Sequence, residues 1–267
     1  MTGNRQNETG PGGIALTILG SGTCVPSLRR SACSVLMRIA GRSLLFDCGP
    51  GTMRRLLEAG VTIFDIDVIF FSHLHPDHSG ELVTFLFGAK YGGGPSPRRP
   101  LALVAGKGFS DFFERLRGVY GQWIDPGEEG LKIVELDGGR SEEFRIDDIG
   151  VRCAPAAHID SSLAYRVAAP GGGTAVYSGD TDVSDAVVEL AKGVDLFICE
   201  SALPDEHKVS GHLTPSLAGE MAARAGVGRL VLTHFYPECD AVNIAAQCRK
   251  TYDGPLVLAE DLLRLTV

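Results

Sequence analysis

The segment Phe71-Ser72-His73-Leu74-His75-Pro76-Asp77-His78 places three imidazoles and a carboxylate within six residues, at the end of an apolar run. In extended chain, residues two apart share a side, so His73, His75 and Asp77 point one way. His78 follows where the chain turns into a helix. Imidazole nitrogen and carboxylate oxygen are donors that divalent zinc accepts, and four of them crowd a single tetrahedral ion. A cluster divided between two ions resolves the crowding.

Two ions need donors from elsewhere in the chain. His158 closes the run Val-Arg-Cys-Ala-Pro-Ala-Ala, Asp180 closes Thr-Ala-Val-Tyr-Ser-Gly, and His234 closes Arg-Leu-Val-Leu-Thr. Single donors at the ends of three strand-like runs match the habit of building sites at strand termini. One of the three is a carboxylate, whose two oxygens can bridge a pair of ions. Asp47, in Phe46-Asp47-Cys48-Gly49, is a candidate partner for a ligand imidazole. His207 lies in a charged stretch and is given no role.

The elements that must carry these residues can be read from the spacing of apolar positions. Ile14–Gly20, Cys33–Ile39 and Ser43–Asp47 predict a β-meander, and Thr52 a helix cap with Gly60 as the stop. Asp67–Ser72 predicts an apolar strand, His78–Ala89 a helix, Leu101–Ala105 a strand and Phe109–Tyr120 a helix. Leu131–Leu136, Val151–Ala156, Leu163–Ala168 and Thr174–Ser178 predict four more strands, the last two joined by the tight turn Pro170-Gly171-Gly172-Gly173. Helix Val183–Lys192, strand Val194–Cys199, helix Pro215–Ala225, strand Arg229–Thr233, a helix near Ala241–Arg249 and strand Pro255–Ala259 complete the alternation. Meander and βα units occur twice, which predicts an α/β fold of two mixed sheets packed together with helices outside. Residues 1–13 read as a disordered tail and 14–267 as one domain. Tyr91–Pro100 reads as a flexible loop in which Arg98 and Arg99 face solvent.

His73-Leu74-His75-Pro76-Asp77-His78, with His158, Asp180 and His234 downstream in that order, resembles the metallo-β-lactamase superfamily, over essentially all of the chain from Ile14 onward. The resemblance implies a four-layer αββα sandwich and two divalent metal ions. It implies that His73, His75 and His158 hold one ion, that Asp77, His78 and His234 hold the other, and that Asp180 bridges them. Zinc is the expected metal, although manganese and iron suit the same donors. Flavodiiron-type redox members carry a glutamate where this chain has His75, so hydrolysis is expected.

Further segments resemble ribonuclease Z and its phosphodiesterase relatives. They are Leu19-Gly20-Ser21-Gly22-Thr23-Cys24-Val25-Pro26 with Arg30 beyond it, Ser178-Gly179-Asp180-Thr181, Cys199-Glu200-Ser201, Gly211-His212-Leu213-Thr214 and Leu232-Thr233-His234-Phe235. The resemblance implies a catalytic set of Asp77, Glu200 and His212, with His212 protonating the departing oxygen and Glu200 orienting it. A positioned acid of this kind contributes roughly 10²–10⁴-fold when the leaving group is an alkoxide. The expected nucleophile is water activated by the two metals.

The chain departs from ribonuclease Z in two places. Only 21 residues separate His158 from Asp180, which leaves no room for a long tRNA-gripping arm, and Leu213 stands where ribonuclease Z has serine. The net charge of −8 also lacks the basic balance of a polyanion-binding protein. The expected substrate is therefore a small phosphodiester or nucleotide. A ribonuclease Z-like endonuclease acting on tRNA and a thioester or acyl hydrolase on the same metals are the alternatives.

Seven cysteines with no CxxC spacing, a polar N-terminus and no long apolar stretch together predict a cytoplasmic protein without a membrane segment. The resemblance adds a homodimer to the expected partners.

Overall fold

In the computed structural model of the chain, residues 12–93, 99–127 and 129–267 are described. Most of the expected tail and Arg98 of the expected loop lie outside them. The described chain starts at Gly12, whose backbone lies against Gly171 of the tight turn.

The first half runs β1 (Ile14–Gly20), β2 (Ser34–Ile39), β3 (Arg42–Phe46), α1 (Thr52–Glu58), β4 (Val68–Phe70), α2 (Pro76–Ser79), α3 (Leu82–Tyr91), β5 (Leu101–Gly106), α4 (Phe109–Tyr120) and β6 (Leu131–Leu136). The second runs β7 (Glu142–Ile146), β8 (Ile149–Pro155), β9 (Leu163–Ala168), β10 (Thr174–Tyr177), α5 (Asp185–Leu190), β11 (Leu196–Glu200), α6 (Pro215–Ala225), β12 (Leu230–Thr233), α7 (Ile244–Cys248), β13 (Leu256–Leu258) and β14 (Arg264–Thr266). Among the described residues they form two seven-stranded sheets, ordered β14-β1-β2-β3-β4-β5-β6 and β13-β12-β11-β10-β9-β8-β7. Each sheet is antiparallel at the meander end and parallel where the βα units lie. This is the expected sandwich of two mixed sheets flanked by helices.

The parallel strands explain the unbroken apolar runs. β4, β11 and β12 are buried at every position, because each is covered on both faces. One continuous core joins the facing sides of the two sheets, including Leu16, Val35, Phe46, Phe70, Tyr165 and Tyr177, and extends under α5 and α6. A second core, with Phe71, Phe85, Phe109 and Phe113, lies between the first sheet and the helices outside it.

Several boundaries differ from the sequence expectation for local reasons. Thr52 is the first residue of α1 rather than its cap; Gly51 takes the cap position at φ 99°, and the Thr52 hydroxyl donates to Gly49 O. The helix expected over His78–Ala89 is two, α2 and α3, separated at Gly80-Glu81. The Glu81 carboxylate reaches back to the amides of Gly51 and Met53, so the break ties the His73–His78 segment to the start of α1. β7 and β14 are strands that the spacing of apolar positions does not predict. Both are edge strands with alternating exposed residues and little apolar content.

Candidate metal centre

Loops leaving β4, β8, β10, β11 and β12 converge at one edge of the sandwich. They carry in turn the His73–His78 segment, His158, Asp180, His212 and His234, with Glu200 as the last residue of β11 beside them. Every residue expected in the site comes to this place.

Three groups form there, and within each the ligand atoms lie within 4.8 Å of one another. They are His73, His75, His158 and Asp180; Asp77, His78 and His234; and Asp180, His212 and His234. Asp180 lies at the centre. Its Oδ1 is 3.2 Å from His78 Nε2, without hydrogen-bond angles, and its Oδ2 is 3.4 Å from His234 Nε2 and 3.7 Å from His73 Nε2. The His75 Nδ1 and His158 Nε2 atoms are 3.1 Å apart.

The donors fit a cation. His73 Nε2, His78 Nε2, His234 Nδ1 and Asp180 Oδ1 are buried and have no hydrogen-bond partner among the described residues, a concentration of unmet polar atoms that an apolar core would not tolerate. Burial drives the imidazoles of His73, His158 and His234 below their ordinary values, His234 to about 4, so each is neutral with a lone pair to give. Burial also opposes charge on His78, but Asp180 and Asp47 outweigh it and hold its pKa well above normal. The cluster thus draws positive charge, and a cation binding there would displace the proton of His78.

The surroundings fix these rings. Asp47, at φ 60°, is fully buried and accepts from Ser72 N at 2.7 Å, Ser72 Oγ at 2.8 Å, Tyr177 Oη at 2.6 Å and His78 Nδ1 at 2.7 Å. Asp47 thus holds the His78 imidazole of the cluster, together with Ser72 and Tyr177. The sequence placed Tyr177 only within the strand Thr174–Ser178. Gly179, at φ 56°, lets the turn into Asp180 pass the Ser72 side chain, since a Cβ there would sit 2.3 Å from Ser72 Cβ. His234 is itself at φ 62°, in a region that costs energy for a non-glycine residue.

Glu200 and His212 form a pair beside the cluster. His212 Nδ1 is 3.0 Å from Glu200 Oε1 and 3.9 Å from Asp180 Oδ2, and its ring is nearly parallel to that of His234. The Glu200 carboxylate also accepts from the amides of Thr181, Ala202 and Leu213. Burial raises the Glu200 pKa to about 7 despite the His212 hydrogen bond. On His212 burial is outweighed by the hydrogen bond and charge of Glu200, which hold the imidazole above its ordinary value. The pair can therefore carry a proton near neutral pH and present it next to Asp180.

His207 is exposed on a short 3-10 turn and contributes nothing to the cluster. Arg99 is exposed, 3.9 Å from Asp147. Arg30 is held by Ser21, Ala259 O and Asp240, with its guanidinium over the Phe235 ring, so it buttresses the His234 loop. No helix among the described residues is long and apolar enough to cross a membrane.

The Beta-lactamase superfamily domain matches residues 42–235. A ribonuclease Z from Streptomyces avermitilis is 31% identical, with 94% of this chain and 97% of that one covered. Among solved structures, the metallo-beta-lactamase fold protein YhfI from Bacillus subtilis is similar at a TM-score of 0.81 and 20% identity, covering 96% of this chain and all of the other. The short form of human tRNase Z is similar at 0.75 and 27%, covering 94% and 98%.

Proposed function

This chain belongs to the beta-lactamase superfamily, as a hydrolase near its ribonuclease Z branch, and on that premise we propose that it is a two-metal phosphodiesterase acting on a small phosphodiester or nucleotide. The observation that carries the proposal is the Glu200–His212 pair, 3.0 Å apart and set against Asp180. Departing alkoxides need a proton, and this pair is placed to give one. A thioester leaves without such help, so an acyl hydrolase would have no use for it.

His73, His75 and His158 would hold one cation, Asp77, His78 and His234 a second, and Asp180 would be shared. Bound there, divalent ions, zinc first, supply Lewis-acid neutralisation of the phosphate and ease the ionisation of water. Water adds to phosphorus and gives up one proton to solvent, the ester P–O bond breaks, the proton on His212 Nε2 passes to the departing oxygen, and His212 takes up a proton from solvent for the next turnover. Glu200 accepts the Nδ1–H of His212, fixes the ring that faces the site and stabilises its charged form before transfer. Asp77, 3.9 Å from His78, belongs with these catalytic residues as well as with the ligands.

The chain's economy supports a small substrate. Between His158 and Asp180 it has only β9, a turn and β10, leaving no protruding arm. The alignment to the Streptomyces ribonuclease Z runs over 296 positions, more than the 267 residues of this chain, so that relative carries insertions that this chain lacks. The same relative favours precursor tRNA as the second reading.

Assaying the zinc- and manganese-loaded protein on bis(p-nitrophenyl) phosphate, a 2′,3′-cyclic nucleotide, a glutathione thioester and a precursor tRNA tests both readings. Hydrolysis of the first two is expected. Cleavage of the thioester alone would overturn the phosphodiesterase assignment, and efficient tRNA cleavage would put the second reading first.

A further inference from the structure

Three segments that carry no chemistry of their own meet at the rim of the site. Asp182 N donates to Ala157 O at 2.8 Å, joining the loop before His158 to the loop after Asp180. The Oδ2 atom of Asp182 accepts from Gly211 N at 3.0 Å and from Lys208 Nζ at 2.8 Å. Lys208 also donates to Val209 O at 2.6 Å, closing the 208–211 stretch on itself.

Gly211 then faces two ways. Its amide is held by Asp182, while its carbonyl accepts from His158 Nδ1 at 2.8 Å, which leaves the Nε2 lone pair of His158 turned to the cluster. The next residue is His212. Gly211 is at φ 84°, and a Cβ there would lie 3.0 Å from His158 Nδ1, so the close approach depends on glycine.

We propose that Asp182 and Lys208 are positioning residues: their ion pair sets the Gly211 peptide so that one loop both orients His158 as a ligand and delivers His212 to the departing oxygen. The inference rests on the phosphodiesterase reading for its second half and on geometry alone for its first. The ion pair is partly exposed, with side chains 31% and 29% accessible, so its value is in where it holds the loop rather than in stability.

The zinc-loaded wild type, Asp182→Ala, Lys208→Met and His212→Ala are compared on bis(p-nitrophenyl) phosphate, whose leaving group departs unaided, and on diphenyl phosphate, whose leaving group gains from a proton. At saturating zinc, Asp182→Ala is expected to lose about tenfold or more in kcat on diphenyl phosphate and far less on the nitrophenyl ester. In the His212→Ala background it adds no further loss, because the two act through one proton. Lys208→Met, which keeps the Asp182–Gly211 bond, shifts the same ratio by less. Competition with a chelator shows about tenfold weaker binding of one zinc ion in Asp182→Ala and no change in the other. Equal losses on both diesters, a further loss on top of His212→Ala, or unchanged affinity for both ions would overturn the proposal. Wild type that cleaves neither diester would sink the phosphodiesterase reading instead, and the zinc affinities of Asp182→Ala then decide the inference on their own.

Discussion

His78 Nδ1 lies 2.7 Å from Asp47 Oδ2, and solvent reaches neither side chain. The two oxygens of Asp47 accept from four donors, on the segment after β4, on α2 and on β10, so it fixes the ring that faces Asp180. Replacing it with asparagine keeps the shape, but an amide has one acceptor oxygen and its NH₂ opposes the donors around it. Asp47→Asn is expected to weaken binding of one metal ion by about 10–100-fold. It is also expected to cost about 3 kcal/mol of stability, because a buried network loses its charged centre. Chelator competition and denaturant unfolding measure the two effects; an unchanged value for both would show that Asp47 is only a turn residue.

Glu200 and His212 should separate by pH as well as by rate. His212→Ala is expected to lower kcat by roughly 10²–10⁴-fold on a diester with a poor leaving group and to spare bis(p-nitrophenyl) phosphate. Glu200 holds the His212 pKa up, so Glu200→Gln lets it fall. Activity that needs the protonated imidazole is lost as pH rises through that value. The alkaline limb of kcat in Glu200→Gln therefore moves to lower pH than in wild type. A limb that stays in place would separate the carboxylate from the proton donor.

Much of this site was legible in the sequence because its donors are rare residue types at the ends of apolar runs. His158, Asp180 and His234 needed only the rule that strand ends converge, whereas Glu200 and His212 were read through the resemblance to ribonuclease Z. Tyr177, Ser72, Asp182 and Gly211 could not be read that way. A tyrosine in an apolar strand and a serine beside a histidine look like core and turn until the partner segment is known, and their partners lie 130, 25, 29 and 53 residues away. The same limit hid β7 and β14, whose place is set by the neighbouring strands rather than by their own pattern.

Removing the metals should change stability more than shape. The continuous core between the sheets does not depend on the cluster, so chelated protein is expected to stay folded and to unfold cooperatively. The unmet atoms of His73, His78, His234 and Asp180 leave it less stable, and restoring metal at 1,000 times its dissociation constant adds about 4 kcal/mol. Elemental analysis of protein refilled with zinc is expected to give two ions per chain. One ion per chain, with no rise in Tm on refilling, would contradict the shared Asp180.

Asp205 gives the clearest pH test of the scaffold. It lies before the loop of His212, and its Oδ1 accepts from the amide and hydroxyl of Ser216 in the first turn of α6, at 3.1 and 2.7 Å, while Oδ2 pairs with Lys250 at 2.9 Å. A carboxylate there also meets the positive end of the helix. Burial would raise its pKa, but the Ser216 and Lys250 contacts outweigh it and hold it below normal. A depressed carboxylate stabilises the fold above its unfolded pKa of about 3.9, and that contribution is lost as pH falls through the lower folded value. Asp205→Ala is thus expected to cost about 1–2 kcal/mol at pH 7. The gap between wild type and variant should narrow below about pH 4 as the wild-type carboxylate takes up its proton. Urea unfolding from pH 7 down to pH 3 follows that gap; a constant difference would mean that Asp205 acts through packing rather than through its charge at the start of α6.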